Sequence, residues 1–182
     1  MIKAMKKVLV CTLAAALTLG AAATAGAAGS PTTAKEPEAQ TNVKATNGAK
    51  VNTTDDGTAT LKAAKKSSKK SVTVSSTVTV NGVKYTVTVI GANAFANCKK
   101  ATKITLPAQI KTINKNAFKG AKKLKTIVLK GKKSITVKKG AFTGLNTKKM
   151  TIKVNKSMKK AQLTKLKKAL KAAGFKGTVK KA

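Results

Sequence analysis

The sequence predicts a β-rich α/β solenoid: a short repeat array between an N-terminal β-hairpin cap and a C-terminal helical cap. Three observations predict it. An Ala-Phe pair recurs at Ala94-Phe95, Ala117-Phe118 and Ala141-Phe142, with Phe spacings of 23 and 24 residues. Two runs of alternating valines flank Asn81-Gly82. An apolar stripe at helical spacing ends at Gly174 near the C-terminus.

The repeat comes first because it sets the architecture. Spacings of 23 and 24 lie inside the range for leucine-rich repeats. Five residues before each Phe stand Ile90, Ile113 and Val137. Nine and eleven residues after the first Phe stand Ile104 and Leu106. Ile127 and Leu129 hold the same offsets in the second repeat. The third repeat carries one extra residue, and Ile152 and Val154 take those places. Each x-I-x-L run reads as a short strand with two side chains inward. Each Ala-Phe segment reads as a helical or tight turn whose ring fills the coil. One coil cannot bury its own apolar face, but stacked coils can.

Upstream, Gly57 to Leu61 reads as a short strand and Lys62 to Lys70 as a polar basic turn. From Ser71 to Ile90, Val72, Val74, Val78 and Val80 alternate with Thr and Ser, and after Asn81-Gly82 come Val83, Tyr85, Val87 and Val89. Asn-Gly between alternating runs is a strong hairpin signal. Val72, Val74 and Val78 match the spacing of Ile104, Leu106 and Ile110, with nine residues inserted before Ile90. This altered repeat is expected to cap the N-terminal end. Downstream, Met158, Ala161, Leu163, Leu166, Leu170 and Ala173 form the helical stripe, with Ser157 as the expected N-cap. Gly174 ends the helix, Phe175 packs back, and Thr178-Val179 adds a final strand. A basic amphipathic helix also suits a membrane surface. Capping fits better, because an end coil needs its core covered.

The N-terminus reads as a secretory signal peptide. Lys3, Lys6 and Lys7 form a positive region, Val8 to Leu19 is apolar apart from Thr12 and Thr18, and Ala21 to Ala28 is small-residue only. Cleavage is expected after Ala27. The apolar span, roughly 12 residues, is short for a bilayer. Cys11 opens that span rather than closing it and follows Val10, so a lipid-anchor site is not expected. The C-terminus carries no L-P-x-T-G sorting signal. The chain therefore divides into a signal peptide (1–27), a disordered linker rich in Ala, Thr, Pro, Asn and Lys (28–56), an N-terminal β cap (57–90), leucine-rich repeats (91–154) and a C-terminal helical cap (155–182). About 155 residues remain after cleavage, enough for one modest domain and a tail.

Charge narrows the chemistry. The only acids are Glu36, Glu38, Asp55 and Asp56, and there is no Arg and no His. Six of the 39 lysines precede Gly57 and the other 33 follow it, in a stretch with no acid at all. That stretch cannot build a glycosidase carboxylate pair, a Ser-His-Asp triad or a carboxylate/imidazole metal site. No enzymatic activity, cofactor or metal is expected. The lysines repel one another and favour anionic surroundings. Nucleic acid is a poor fit, since Arg is missing, export removes the chain from it, and aromatics are 3% of residues, too few for base stacking. Cys98 alone survives cleavage, so no internal disulfide forms and Cys98 reads as a small core residue.

The segment I-G-A-N-A-F-A-N-C-K-K-A-T-K-I-T-L-P from Ile90 to Pro107, repeated as I-N-K-N-A-F-K-G-A-K-K-L-K-T-I-V-L from Ile113 to Leu129, resembles the BspA-type leucine-rich repeats of bacterial surface proteins. The resemblance runs from about Ser71 to Ala182 and includes the basic terminal helix ending A-A-G-F. It implies a non-enzymatic, surface-exposed repeat domain, associated with adhesion to host proteins and other cells. Ala101 stands where the pattern has Leu, and Ala121 where it has Cys. With three full repeats, the concave face is small.

Strand residues alternate in and out. If the Ile and Leu columns face inward, the outward columns are Lys103-Thr126-Thr151, Thr105-Val128-Lys153 and Pro107-Lys130-Asn155. The expected ligand face is therefore Lys103, Thr105, Thr126, Val128, Lys130, Thr151, Lys153 and Asn155. It carries no aromatic anchor of the kind that dominates protein–protein hot spots. The expected partners are anionic cell-wall polymers or host and cell-surface proteins. The function expected is a secreted, surface-associated binding module, or alternatively a structural envelope protein held by its lysines.

Overall fold

The structure, a computed structural model, describes residues 35–182. The expected signal peptide lies outside the described residues, as does the start of the expected linker.

Two parallel ladders organise the molecule, and the chain visits them in turn. The first ladder holds β3 (Thr58–Ala63), β6 (Val83–Ile90), β8 (Thr112–Ile113) and β10 (Thr136–Val137). The second holds β4 (Ser71–Thr73), β7 (Lys103–Leu106), β9 (Thr126–Leu129), β11 (Thr151–Val154) and β12 (Thr178–Lys181). The column read from the sequence as Ile90, Ile113 and Val137 lies in register across the first ladder. Leu61 precedes it, opposite Ile90. Ile104, Ile127 and Ile152 lie in register across the second ladder, flanked by Val72 and Val179. All of these except Val72 and Val179 are buried, so the apolar columns are the core.

The Ala-Phe segments are tight turns rather than helices. Ala96 N–H donates to Asn93 O (2.9 Å), Cys98 N–H to Phe95 O (3.0 Å) and Ala101 N–H to Cys98 O (3.0 Å). Two residues before each Phe, the backbone turns left-handed, at Asn93 (φ 58°), Asn116 (φ 59°) and Gly140 (φ 76°). Asn and Gly are the residues that enter this region at least cost. The turns stack as the strands do: Phe95 N–H donates to Ala117 O (3.2 Å) and Phe118 N–H to Ala141 O (3.3 Å). The rings stack in consequence. Phe95 and Phe118 centroids are 5.2 Å apart at 4°, and Phe118 and Phe142 are 5.5 Å apart at 3°. The rings are parallel, at centroid distances within the usual range for aromatic pairs.

The hairpin forms where Asn81-Gly82 places it. β5 (Thr77–Val80) pairs antiparallel with β6, Val80 opposite Val83. Asn81 (φ 50°) and Gly82 (φ 86°) both adopt positive φ, as a two-residue type I′ turn demands. The span 57–90, expected as a cap, also contributes a rung to each ladder through β3 and β4.

The linker expected over 28–56 needs correction from residue 38 onward. β1 (Val43–Lys44) and β2 (Lys50–Thr53) form a hairpin that joins β3 antiparallel. Ala45, Ala49, Val51 and Thr53 are buried. Tyr85 pins the preceding strand-like segment: its hydroxyl accepts from Glu38 N–H (2.9 Å) and donates to Glu38 O (3.3 Å). The burying side chains are small and mixed with Thr and Asn, so the segment has a loop-like composition. Asn47-Gly48 and Asp56-Gly57 mark its two turns, with φ of 80° and 72° at the glycines.

Helix α1 runs Lys160–Ala172. Its N-cap is Lys159, not the expected Ser157, and no side chain caps it. Ser157 N–H is already bound to Asn155 Oδ1 (2.8 Å) in the turn before the helix. Met158, Leu166, Leu170 and Ala173 are buried, Leu163 is half-buried, and Ala161 is exposed. The helix ends as a Schellman motif: Gly174 N–H donates to Lys171 O and Phe175 N–H to Leu170 O, both at 3.0 Å, with Gly174 at φ 90°. Phe175 then meets Phe142 at 5.2 Å, tilted by 52°.

Candidate binding face

The second ladder presents one outer face. Ile104, Leu106, Ile127, Leu129, Ile152 and Val154 point to the core, so the residues between them share the opposite side. Register then fixes the columns. One row reads Ser71, Lys103, Thr126, Thr151 and Thr178 across five strands. The next reads Thr73, Thr105, Val128, Lys153 and Lys180. Lys130 and Asn155 follow at the strand ends, where Asn155 Nδ2 donates to Lys130 O (2.8 Å). Seven of the eight expected ligand residues are thus solvent-accessible, with Lys103 and Lys130 exposed and the others half-buried.

Thr105 is the correction. It lies in the right row, but only 8% of it is accessible. It sits between Thr73 and Val128 on the strands to either side, so the row is closed to solvent at this one position. The sequence places Thr105 on the correct face. Alternation alone does not show that its side chain is covered there. In the same rows Ser71, Thr73, Thr178 and Lys180 extend the face beyond the expected eight residues. The strand match between Val72 and Ile104 is the signal that reaches the first two.

The electrostatics of the face are one-sided. Lys153 and Lys180 stand in register on adjacent strands, and like charges so placed oppose the pairing. No acid lies in the chain after Asp56 to offset them. The four acids all precede Gly57. Asp55 accepts from Ala39 N–H, Asp56 from Thr54 and Thr58, and Glu38 from Gln40, so these carboxylates are engaged at the N-terminal end. The hydrogen bonds from Thr54 and Thr58 hold the Asp56 carboxyl below the usual carboxylate value. Cys98 is fully buried, and burial pushes its thiol above the ordinary value, so it is packing rather than a nucleophile. Among the described residues no three His, Cys, Asp or Glu cluster as metal ligands. No helix among them is long and apolar enough to cross a membrane.

Parallel ladders of short strands joined by stacked aromatic turns define a leucine-rich-repeat protein. A family model described as "BspA type Leucine rich repeat region (6 copies)" matches residues 65–171. The chain belongs to this BspA-type leucine-rich-repeat family. Its fold is similar to that of a leucine-rich repeat protein from Bacteroides capillosus, with 25% identity and a TM-score of 0.54 over 66% of this chain and 87% of that one. It also matches a leucine rich cell surface protein from Faecalibacterium prausnitzii at 18% identity and a TM-score of 0.49, over 81% of this chain and 44% of that one. This chain therefore spans less than half of the second protein. No curated protein matches.

Proposed function

We propose that the protein is an exported, non-enzymatic binding module of the bacterial surface whose Thr/Lys face engages anionic polymers. In this reading the ladders are the walls of a short solenoid and α1, with Phe175, closes its C-terminal end. The observation that carries the proposal is the in-register face itself. Hydroxyls and ammonium groups repeat along five strands, and Lys153 beside Lys180 needs a counter-charge. Strands in a ladder lie about 4.8 Å apart, a spacing that suits a ligand with regularly repeated anionic groups. A face without an aromatic anchor suits a protein hot spot less well.

One observation favours retention over selective capture. Lysines are not confined to the face: Lys160, Lys167, Lys168 and Lys171 stand exposed on α1. A chain basic on several sides holds to a polyanionic wall as an envelope protein would. The test is retention of the protein on purified anionic wall polymer and on immobilised host matrix protein, each at low and high salt. The proposal expects wall-polymer binding that weakens steeply with salt, because exposed charges are screened within about 10 Å at 0.1 M. Binding to matrix protein alone, unchanged by salt, would overturn it.

A further inference from the structure

The second ladder ends openly at its N-terminal side. Its outermost strand there is β4, and among the described residues β4 pairs only with β7. Lys103 N–H donates to Lys70 O (3.0 Å) and Val74 N–H donates to Thr105 O (3.0 Å), so the bonding groups of Lys70 and Val74 face β7. Backbone direction alternates along a strand, so the N–H and C=O groups of Ser71 and Thr73 turn to the other side. No described residue pairs with them there, and both residues are exposed.

The sheet of the first ladder does not stop at the same height. It continues past β3 with β2 and β1. A cleft of about 650 Å³ lies in this step. Asn47, Ala49 and Leu61 border it on one side, and the consecutive residues 71–75 on the other. Consecutive side chains of a strand point to opposite faces, so a cleft that meets all of these residues runs along the edge of β4 and not over one face. The connection from β3 to β4, residues 64–70, is too short for an Ala-Phe turn and carries no aromatic. It brings Lys65, Lys66 and Lys69 to the cleft instead, all of them exposed, and no acid follows Asp56 in the chain to neutralise them.

An open edge offers its N–H and C=O groups to an incoming strand, and charged residues or Pro on the edge are the usual protection. β12, the open edge at the other end, carries Lys180 and Lys181, whereas the Ser71-Val72-Thr73 strand has neither Lys nor Pro. We propose that β4 is a docking edge for an extended acidic segment of another protein. The segment adds as the next strand of the second ladder, with its backbone on Ser71 and Thr73 and its carboxylates at Lys65, Lys66 and Lys69. A second copy of this chain is the poorer occupant. Its β12 would set Lys180 and Lys181 against these lysines, and β4 against β4 would double them, and like charges across a strand pair oppose pairing. The Thr/Lys face engages its polymer through side chains alone, whereas this edge needs backbone pairing, so the two readings fail separately.

The test uses the full chain and a fluorescein-labelled peptide, Gly-Glu-Thr-Glu-Thr-Glu-Gly, followed by anisotropy at low salt. Two further peptides carry N-methyl groups on the glutamates or on the threonines, which removes alternate N–H donors and keeps every charge. Another has Lys in place of Glu. We expect one saturable site, with at least one N-methylated peptide and the Lys peptide each about tenfold weaker or worse. Thr73→Pro deletes an edge donor that the ladder to β7 does not use, in a setting where sheets tolerate Pro, and lowers affinity for the parent peptide about tenfold or more. Should Thr73→Pro misfold by circular dichroism, the exposed pair Lys66→Ser/Lys69→Ser carries the test on the protein, with the same loss expected. Both N-methylated peptides binding as tightly as the parent would leave charge alone and overturn the proposal. Binding unaltered in the protein variants, or many equivalent sites per chain, would overturn it as well.

Discussion

The two ends of the repeat array are built from the same strands and finished differently. At the C-terminal end, Phe142 meets Phe175, and α1 and β12 continue the packing. At the N-terminal end, the first coil has the strands β3 and β4 but a connection too short for an Ala-Phe turn. A ladder rung and a filled coil are therefore separate achievements. Backbone pairing needs only a strand of the right register, whereas filling the coil needs an aromatic delivered by a turn of sufficient length. Where the second is missing, the molecule keeps its ladder and gains a cleft.

Removing an aromatic from the filled region breaks the comparison most directly. Phe118 is fully buried between Phe95 and Phe142. Phe118→Ala should cost about 3–5 kcal/mol by denaturant unfolding. Leu61→Ala at the N-terminal end should cost about 2–3 kcal/mol, less than the Phe truncation because a smaller buried side chain is removed and no ring is stacked there. Equal costs at the two positions would mean that the coils are filled alike.

The C-terminal end depends on a close approach. A Cβ on Gly177 would overlap the carbonyl oxygens of Met150 and Thr147, against which β12 begins. Gly177→Ala should cost about 1–3 kcal/mol, as overpacking does. Hydrogen exchange of the Thr178 amide, bound to Met150 O at 3.0 Å, should speed up with it. Unchanged protection there would separate β12 from the closure of this end.

Smaller changes sharpen the N-terminal side. Tyr85→Phe removes both hydroxyl contacts to Glu38 and should cost about 1 kcal/mol, with residues 38–42 exchanging faster. Asp56 gives the smallest effect. Its folded value is depressed, so its contribution is present above the usual carboxylate value and is lost as pH falls through the lower folded value. Asp56→Asn should flatten the acid limb of a melting-temperature profile. A profile identical to that of the unaltered chain would remove Asp56 from the account.

Much of this was legible in the sequence where residues are large and spacing is regular. The Phe, Ile and Leu columns fall in register because each repeat must bury a sizeable side chain at the same height. The outer face follows from alternation alone. The hairpin of β1 and β2 was not legible, because Ala45, Ala49 and Thr53 bury well yet occur as often in loops. Its Asn47-Gly48 and Asp56-Gly57 turns were the available signals. Ser157 has the chemistry of an N-cap but lies two residues before the cap position Lys159, in the turn where Asn155 Oδ1 accepts from its amide. The cleft follows from residues that are absent, a short connection without an aromatic, and periodicity reports only residues that are present.

The central claim is that the face contributes more to holding the polymer than the lysines elsewhere do. It is tested by removing three lysines from each of two places. Lys103→Ser/Lys153→Ser/Lys180→Ser removes three lysines of the face, and Lys160→Ser/Lys167→Ser/Lys171→Ser removes three of α1, with the same loss of charge. Affinity for purified anionic wall polymer, measured at one low salt concentration, should fall about tenfold or more for the first variant and far less for the second. Equal losses would contradict the claim and leave only diffuse attraction.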